Sequence, residues 1–250
     1  MSNKVAVVTG GASGIGLATC KLMAENNFDI VLSDVNDEAG EKAVVEIKKL
    51  GVSAIYHHAD VSKYEQVVAL INKTVSVFGK LDVLVNNAGI GPKKYQKTAD
   101  YPLEEFDKIV AVNQNGVFYG MKLGIGQMLK QGGGGNIVNV SSIAGIHGTN
   151  SGMGYTASKF AVVGMTKSAA LEYGKYNIRI NCICPYATDT PILEDTGMLD
   201  TELRAKVSKS IPLRRYADPK EMAEGILWLA TDKSSFVTGH TLILDGGYRA

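Results

Sequence analysis

Val5-Ala6-Val7-Val8-Thr9-Gly10-Gly11-Ala12-Ser13-Gly14-Ile15-Gly16 is the stretch whose reading decides the fold. A continuous apolar run leads into a glycine-rich turn, and a helix-like segment, residues 17–25, comes directly after it. An uninterrupted run of this kind suits a strand covered on both faces, as in a parallel sheet. The turn suits an anion. Backbone N–H groups at a helix N-terminus attract a pyrophosphate, and glycines let it approach without Cβ obstruction. A glycine turn alone is a weak signal, but its placement between a strand and a helix at the start of a βαβ unit strengthens it.

Outward from this point the same alternation repeats. Residues 5–8, 30–33, 53–56, 81–85, 137–140, 179–183 and 242–244 read as strands. Between them lie amphipathic stretches such as 38–50, with Ala43, Val44, Ile47 and Leu50 at helical spacing, and 64–78. The expected architecture is therefore a single-domain α/β fold over residues 1–250. It would be a Rossmann-like doubly wound parallel sheet of about seven strands, with helices on both faces. Two segments break the pattern, 91–102 and 186–215. Both come after strands and so belong at the carboxyl edge where ligands bind in open sheets; the longer is expected to act as a substrate lid.

Composition narrows the partners. The chain has 250 residues, with 26 basic against 25 acidic side chains, so no global charge calls for nucleic acid or an anionic membrane. No apolar run reaches bilayer length, and the start of the chain lacks a signal-peptide layout, which favours a cytoplasmic location. Cys20, Cys182 and Cys184 are too few for a disulfide framework; Cys182 and Cys184 alternate along one strand and read as small core residues. No Cys/His cluster has metal-ligand spacing. The second strand ends at Asp34, 18 residues beyond Gly16. A carboxylate there accepts from ribose hydroxyls and repels a 2′-phosphate, and no Arg or Lys stands directly after it, so NAD(H) is preferred over NADP(H).

Four ordered motifs then converge. Thr9–Gly16 fits TGxxxGxG, Asn86-Asn87-Ala88-Gly89 fits NNAG, Tyr155-Thr156-Ala157-Ser158-Lys159 fits YxxxK, and Ser142 stands 13 residues before Tyr155. On these motifs the chain resembles the short-chain dehydrogenase/reductase family over its whole length. The resemblance implies Asn113, Ser142, Tyr155 and Lys159 as catalytic residues. It implies a cofactor site of Gly10, Ser13, Gly14, Ile15, Gly16, Asp34, Asp60, Val61, Asn87, Ala88, Gly89, Pro185, Thr188 and Thr190, together with Tyr155 and Lys159. Asn113 would hold a water linking Lys159 to solvent, Asn86 would knit the sheet, and the protein would be a homotetramer using helices around Asn113 and Tyr155 and residues 236–250 as interfaces.

The chemistry expected of the set is explicit. Reducing a ketone needs a proton on oxygen, and a free phenol titrates near pH 10. Tyr155 and Lys159, at i and i+4, share a helix face, and the ammonium favours phenolate. Ser142 would orient the carbonyl oxygen. The expected reaction interconverts a secondary alcohol and a ketone. Alternatives are a reductase of a carrier-bound 3-oxoacyl thioester, for which Arg214-Arg215 would be the docking patch, and a non-catalytic NAD-binding module. One departure touches the substrate: the family's Pro-Gly after the sixth strand is here Pro185-Tyr186. Ile143, Met153 and Tyr186 are the candidate substrate contacts, with Ile90, Ile192, Leu193 and Met198 as further apolar lining; His147 is weighed as substrate-facing.

Overall fold

The apolar runs become the strands of one parallel sheet in the order β3-β2-β1-β4-β5-β6-β7. These are β1 (Lys4–Thr9), β2 (Phe28–Asp34), β3 (Ala54–His58), β4 (Val83–Asn86), β5 (Gly135–Val140), β6 (Ile178–Pro185) and β7 (Thr241–Leu244). The computed structural model describes residues 3–195 and 201–250. Met198, an expected lining residue, and part of the expected lid lie outside the described residues. Among those described, the helices are α1 (Gly14–Glu25), α2 (Asp37–Lys48), α3 (Tyr64–Phe78), α4 (Leu103–Val110), α5 (Gly116–Gln131), α6 (Met153–Tyr173), α7 (Ile192–Asp195), α8 (Thr201–Ser210) and α9 (Pro219–Ala230). None of the described helices is long and apolar enough to cross a membrane.

β1 shows why its run has no polar alternation. Ala6 and Val8 enter a core with Met23 of α1, Ile47 of α2 and Ile226 of α9. Val5 and Val7 enter the opposite core, with Leu70 of α3, Met128 of α5 and Val162 of α6. Both faces are covered, so every position must be apolar. From β1 the chain builds outward through β2 to β3, then crosses back to β4 and builds the other way. The crossovers diverge at β1 and β4 and leave a crevice at their carboxyl ends.

Several boundaries move for identifiable reasons. β4 begins at Val83 rather than residue 81, because a side chain replaces a strand partner at Leu81: Gln131 Oε1 accepts from Leu81 N at 3.0 Å, and Gln131 Nε2 donates to Leu81 O at 2.8 Å. β3 runs on through both histidines, His57 pairing with Ser33 and His58 with Asp34. α2 starts where Asn36 accepts from Ala39 N at 3.1 Å and stops at Lys48, short of Leu50. Cys182 and Cys184 point into one small cluster with Val163, as alternation along β6 requires.

The sheet is also stitched through its interior. Asn86 Nδ2 donates to Asn139 Oδ1 at 2.8 Å, and Asn139 Nδ2 donates to Thr166 Oγ1 at 2.9 Å, all three side chains being buried. This joins β4, β5 and α6 behind the catalytic segment. Asn139→Ala strands the buried Asn86 amide, while the Thr166 hydroxyl keeps its bond to Val162 O at 2.8 Å. We expect a loss of about 2–3 kcal/mol in urea unfolding; a loss below about 0.5 kcal/mol would mean that the chain of amides contributes no net stability.

Candidate active site

A cavity of about 1170 Å³ opens at the carboxyl ends of β1, β4, β5 and β6. Its floor begins with the glycine turn. Gly10 and Gly14 have φ of +62° and +51°, and a Cβ on Gly16 would overlap the Gly10 carbonyl oxygen and the Asn87 amide. Gly16 therefore does not line the cavity; it lets α1 sit tightly on the turn, while Gly10, Ser13, Gly14 and Ile15 border the space.

Thr9 fastens this turn to the NNAG segment. Its Oγ1 accepts from Asn87 N at 3.0 Å and Ala88 N at 3.1 Å, and Asn87 Nδ2 donates to the carbonyls of Thr9 and Gly10, each at 2.9 Å. Both N–H groups of the Asn87 amide are thereby used, leaving its oxygen for a ligand. Asn87, Ala88 and Gly89 all border the cavity.

At one end Asp34 is pinned. Its Oδ2 accepts from Ala12 N at 3.0 Å and its Oδ1 from Val35 N at 2.8 Å and Asn36 N at 3.1 Å. A group with no sequence motif supports it. The Tyr56 hydroxyl lies 2.8 Å from Asp34 O and 2.6 Å from Asp37 Oδ1, and His58 Nδ1 lies 2.8 Å from the same Asp37 oxygen. Hydrogen bonds from Tyr56 and His58 hold the Asp37 carboxyl below its ordinary range, so it adds a second negative charge near Asp34. Asp60, which accepts from Ser62 N at 2.9 Å, and Val61 border the same end.

At the other end stand Ser142, Tyr155 and Lys159, on the same cavity wall. Ser142 caps a short turn, its Oγ accepting from Ala144 N at 3.2 Å, which leaves the hydroxyl proton free to be donated. Lys159 is 4% exposed, and its Nζ donates to Val140 O at 3.0 Å. The same nitrogen lies 5.6 Å from the Tyr155 ring centre. Burial pushes the Lys159 ammonium down to about 8. Burial pushes the Tyr155 phenol up to about 12, with the Ser142 hydroxyl working against it.

Asn113 lies inside a π-helical turn, Ala111–Asn115, between α4 and α5. Its Oδ1 accepts from Ile90 N at 2.8 Å, and its Nδ2 donates to Ile90 O at 2.9 Å and Ser158 Oγ at 3.3 Å. One Oδ1 lone pair is what remains for a water. A Cβ on Gly89 would stand 3.3 Å from Asn113 Oδ1 and 3.4 Å from Lys159 Nζ, so these groups converge on one spot.

Pro185, Thr188 and Thr190 complete the roof. Thr188 Oγ1 donates to Tyr186 O at 2.9 Å, Thr188 O accepts from Thr190 Oγ1 at 3.4 Å, and a Cβ on Gly14 would meet Thr190 Cγ2 at 3.2 Å. Ile90, Ile143, His147, Tyr186, Ile192 and Leu193 all border the cavity. Met153, the first residue of α6 and 43% exposed, does not border it. Tyr216 and Tyr248 do border it, although neither has a motif to announce it.

The residues present fit a dinucleotide. The turn carries a cradle that a Cβ would fill, a carboxylate sits at one end, and the volume exceeds the roughly 300–1,000 Å³ of ordinary small-molecule sites.

Comparison with known proteins agrees. The family described as enoyl-(acyl carrier protein) reductase matches residues 10–249. The chain is 40% identical over 250 residues to a 2,5-dichloro-2,5-cyclohexadiene-1,4-diol dehydrogenase of Sphingobium indicum, covering 100% of this chain and 98% of that protein. It is 39% identical over 247 residues to a cyclohexanol dehydrogenase of Acinetobacter sp., covering 99% and 95%. The crystal structure of levodione reductase superposes with a TM-score of 0.94 at 36% identity, covering 99% of this chain and 98% of that one. On its matched length, its motifs and its fold, the chain belongs to the short-chain dehydrogenase/reductase family.

Proposed function

We propose that the protein interconverts a secondary alcohol and a ketone with NAD(H), that the carbon concerned belongs to a small carbocycle, and that Tyr155 is the proton-transferring group. The observation that carries this reading is that Ser142, Tyr155 and Lys159 line the same cavity as the glycine turn and Asp34. The ring is suggested by two relatives whose names specify a cyclohexanol and a cyclohexadiene-diol.

NAD(H) would be held by the glycine turn, Asp34 and the Asn87 oxygen, and when bound supplies or accepts the hydride. The rest is the work of the chain. The Ser142 hydroxyl donates to the substrate oxygen and orients it, and Tyr155 gives that oxygen a proton in reduction or takes it in oxidation. Burial opposes phenolate, so the Lys159 ammonium must lower the cost; each pH unit of lowering is about 1.4 kcal/mol. Asn113, by holding Ile90 and Ser158, keeps α6 at its place beside Gly89. Two carboxylates at the far end, Asp34 and Asp37, support NAD(H) over a cofactor carrying a 2′-phosphate.

Local bonds weaken the case for a docking patch in the carrier-bound alternative. Arg215 is bidentate on Glu221, at 2.6 Å to each oxygen, and Arg214 donates to Lys209 O. The proposal includes a homotetramer: Phe118 of α5, Phe160 and Leu171 of α6, and Phe236 before β7 stand exposed, Leu171 at 88% and Phe236 at 104%. Light scattering that returned a monomer mass would remove the tetramer.

Tyr155→Phe should cut turnover of cyclohexanone by about 10³-fold or more, with NADH still binding by fluorescence titration. Near-normal turnover in this variant would sink the assignment. Running the wild type with NADH and NADPH in parallel tests Asp34, since a strong NADPH preference overturns its reading.

The proton donor also sets a pH dependence. A ketone takes its proton from the protonated phenol, so reduction slows as pH rises, whereas alcohol oxidation needs phenolate and speeds up. Lys159→Ala removes the charge that favours phenolate. The midpoint of kcat/KM for alcohol oxidation should therefore move upward by at least about one pH unit. An unmoved midpoint would remove Lys159 from the acid–base pair.

A further inference from the structure

The end of the chain is built into the substrate side of the cavity. Asp245 organises it: Oδ1 accepts from Gly247 N at 2.9 Å, Oδ2 from Arg249 N at 3.0 Å, and its carbonyl from Tyr248 N at 3.2 Å. Gly246 and Gly247 have φ of +62° and +88°, and Cβ atoms there would meet Ile211 Cγ2 at 2.7 Å and Pro212 Cγ at 3.1 Å. The turn is thus pressed against the segment just after α8, and Leu213 N donates to Gly246 O at 3.2 Å. Arg249 Nη1 reaches the loop after Ser142, donating to Ile146 O at 3.4 Å.

Tyr186 arrives from the other side. Its N–H donates to Leu244 O at 3.1 Å and so continues the pairing of β6 with β7 one residue beyond Pro185↔Leu244. These ties bring the Tyr186 and Tyr248 rings together, stacked with centroids 4.1 Å apart and 21° between planes. Both rings border the cavity that holds Tyr155.

We infer that the Tyr186–Tyr248 stack is the specificity-determining wall of the substrate pocket, a broad face against which a carbocyclic substrate lies. This rests on the reading of the site as a ring alcohol–ketone oxidoreductase. A tyrosine has few rotatable bonds, and two of them locked by stacking and by backbone ties form a surface ordered before substrate arrives. Preordered apolar walls select by shape, because little ordering entropy is lost on binding. Burial pushes the Tyr186 phenol up to about 12, so the wall stays uncharged at working pH. A ring ketone covers such a face; a short acyclic ketone touches little of it.

The test compares kcat/KM for cyclohexanone and for butan-2-one in the wild type and in Tyr186→Ala, Tyr248→Ala, Tyr248→Leu, Tyr248→Phe and the double alanine variant. The ring-to-acyclic ratio should fall about tenfold in each single alanine variant, through KM. The double variant should lose little more than the worse single, since the two rings act as one unit. Tyr248→Leu keeps bulk but loses the plane, and should fall with the alanine variant; Tyr248→Phe should hold the wild-type ratio. An unchanged ratio in the Tyr186→Ala and Tyr248→Leu proteins, each still binding NADH by fluorescence, overturns the wall alone. A wild type that binds NADH but reduces neither ketone overturns the functional reading and the wall with it.

Discussion

The Thr9 hydroxyl stands where the two halves of the sheet diverge, accepting the N–H groups of Asn87 and Ala88 while Asn87 returns two bonds to the Thr9 and Gly10 carbonyls. β1 and β4 are neighbours in the sheet but lie far apart in sequence, and the crevice exists because their crossovers leave in opposite directions. Such a crevice exposes the last backbone groups of both strands. The clasp satisfies them without filling the space, and so the cofactor cradle and the NNAG segment share one rigid edge. Had a larger side chain taken the place of Gly16, the same clasp could not close.

The second half of the site solves an electrostatic problem. A buried ammonium is unfavourable, and the Lys159 charge is met by the dipole of the Val140 carbonyl. A buried phenolate is unfavourable for the same reason. In the proposed reaction each charged form would lower the cost of the other, and a phenol so placed would become useful near neutrality. The surroundings fix this pair from behind. Ser141 Oγ donates to Lys159 O at 2.8 Å, and the Asn86–Asn139–Thr166 chain anchors α6 to two strands. The placing of Tyr155 and Lys159 is therefore a by-product of interior polar packing, which is strict because unpaired amides there are costly.

The sequence makes the strands readable wherever both faces are covered, since burial then demands an apolar residue at every position. It does not show that Gln131 stands in for a strand partner at Leu81, because no periodicity encodes a side chain donating from another element. The glycines of the turn are legible as a set, but not their division of labour; only packing shows that Gly16 supports the turn while Gly14 borders the cavity. The Tyr56–Asp37–His58 cluster is hidden for a similar reason, its members meeting only through the β2–β3 register and the first turn of α2. Met153 departs from expectation because the apolar character of α6's first residue says nothing about which way that turn faces.

The site divides into a part dictated by the sheet and a part that is not. Glycine turn, Asp34, Ser142, Tyr155 and Lys159 sit at strand ends or on a helix packed across two strands, so their places are set by the fold. Tyr186, Tyr216 and Tyr248 come from segments after β6 and β7, and β7 is one of the sheet's two edge strands, with no neighbour beyond it among the described residues. An edge strand constrains the chain beyond its end on one side only. The chain end can then be set by a few local devices, here Asp245, two left-handed glycines and one arginine reaching Ile146. Apart from the Arg249–Ile146 bond, these ties do not involve the loop that carries Ser142 or the helix that carries Tyr155 and Lys159. This is the physical reason that the proposed catalytic residues fall in motifs, whereas the proposed substrate wall depends on a local turn, Asp245 to Arg249, that no motif announces.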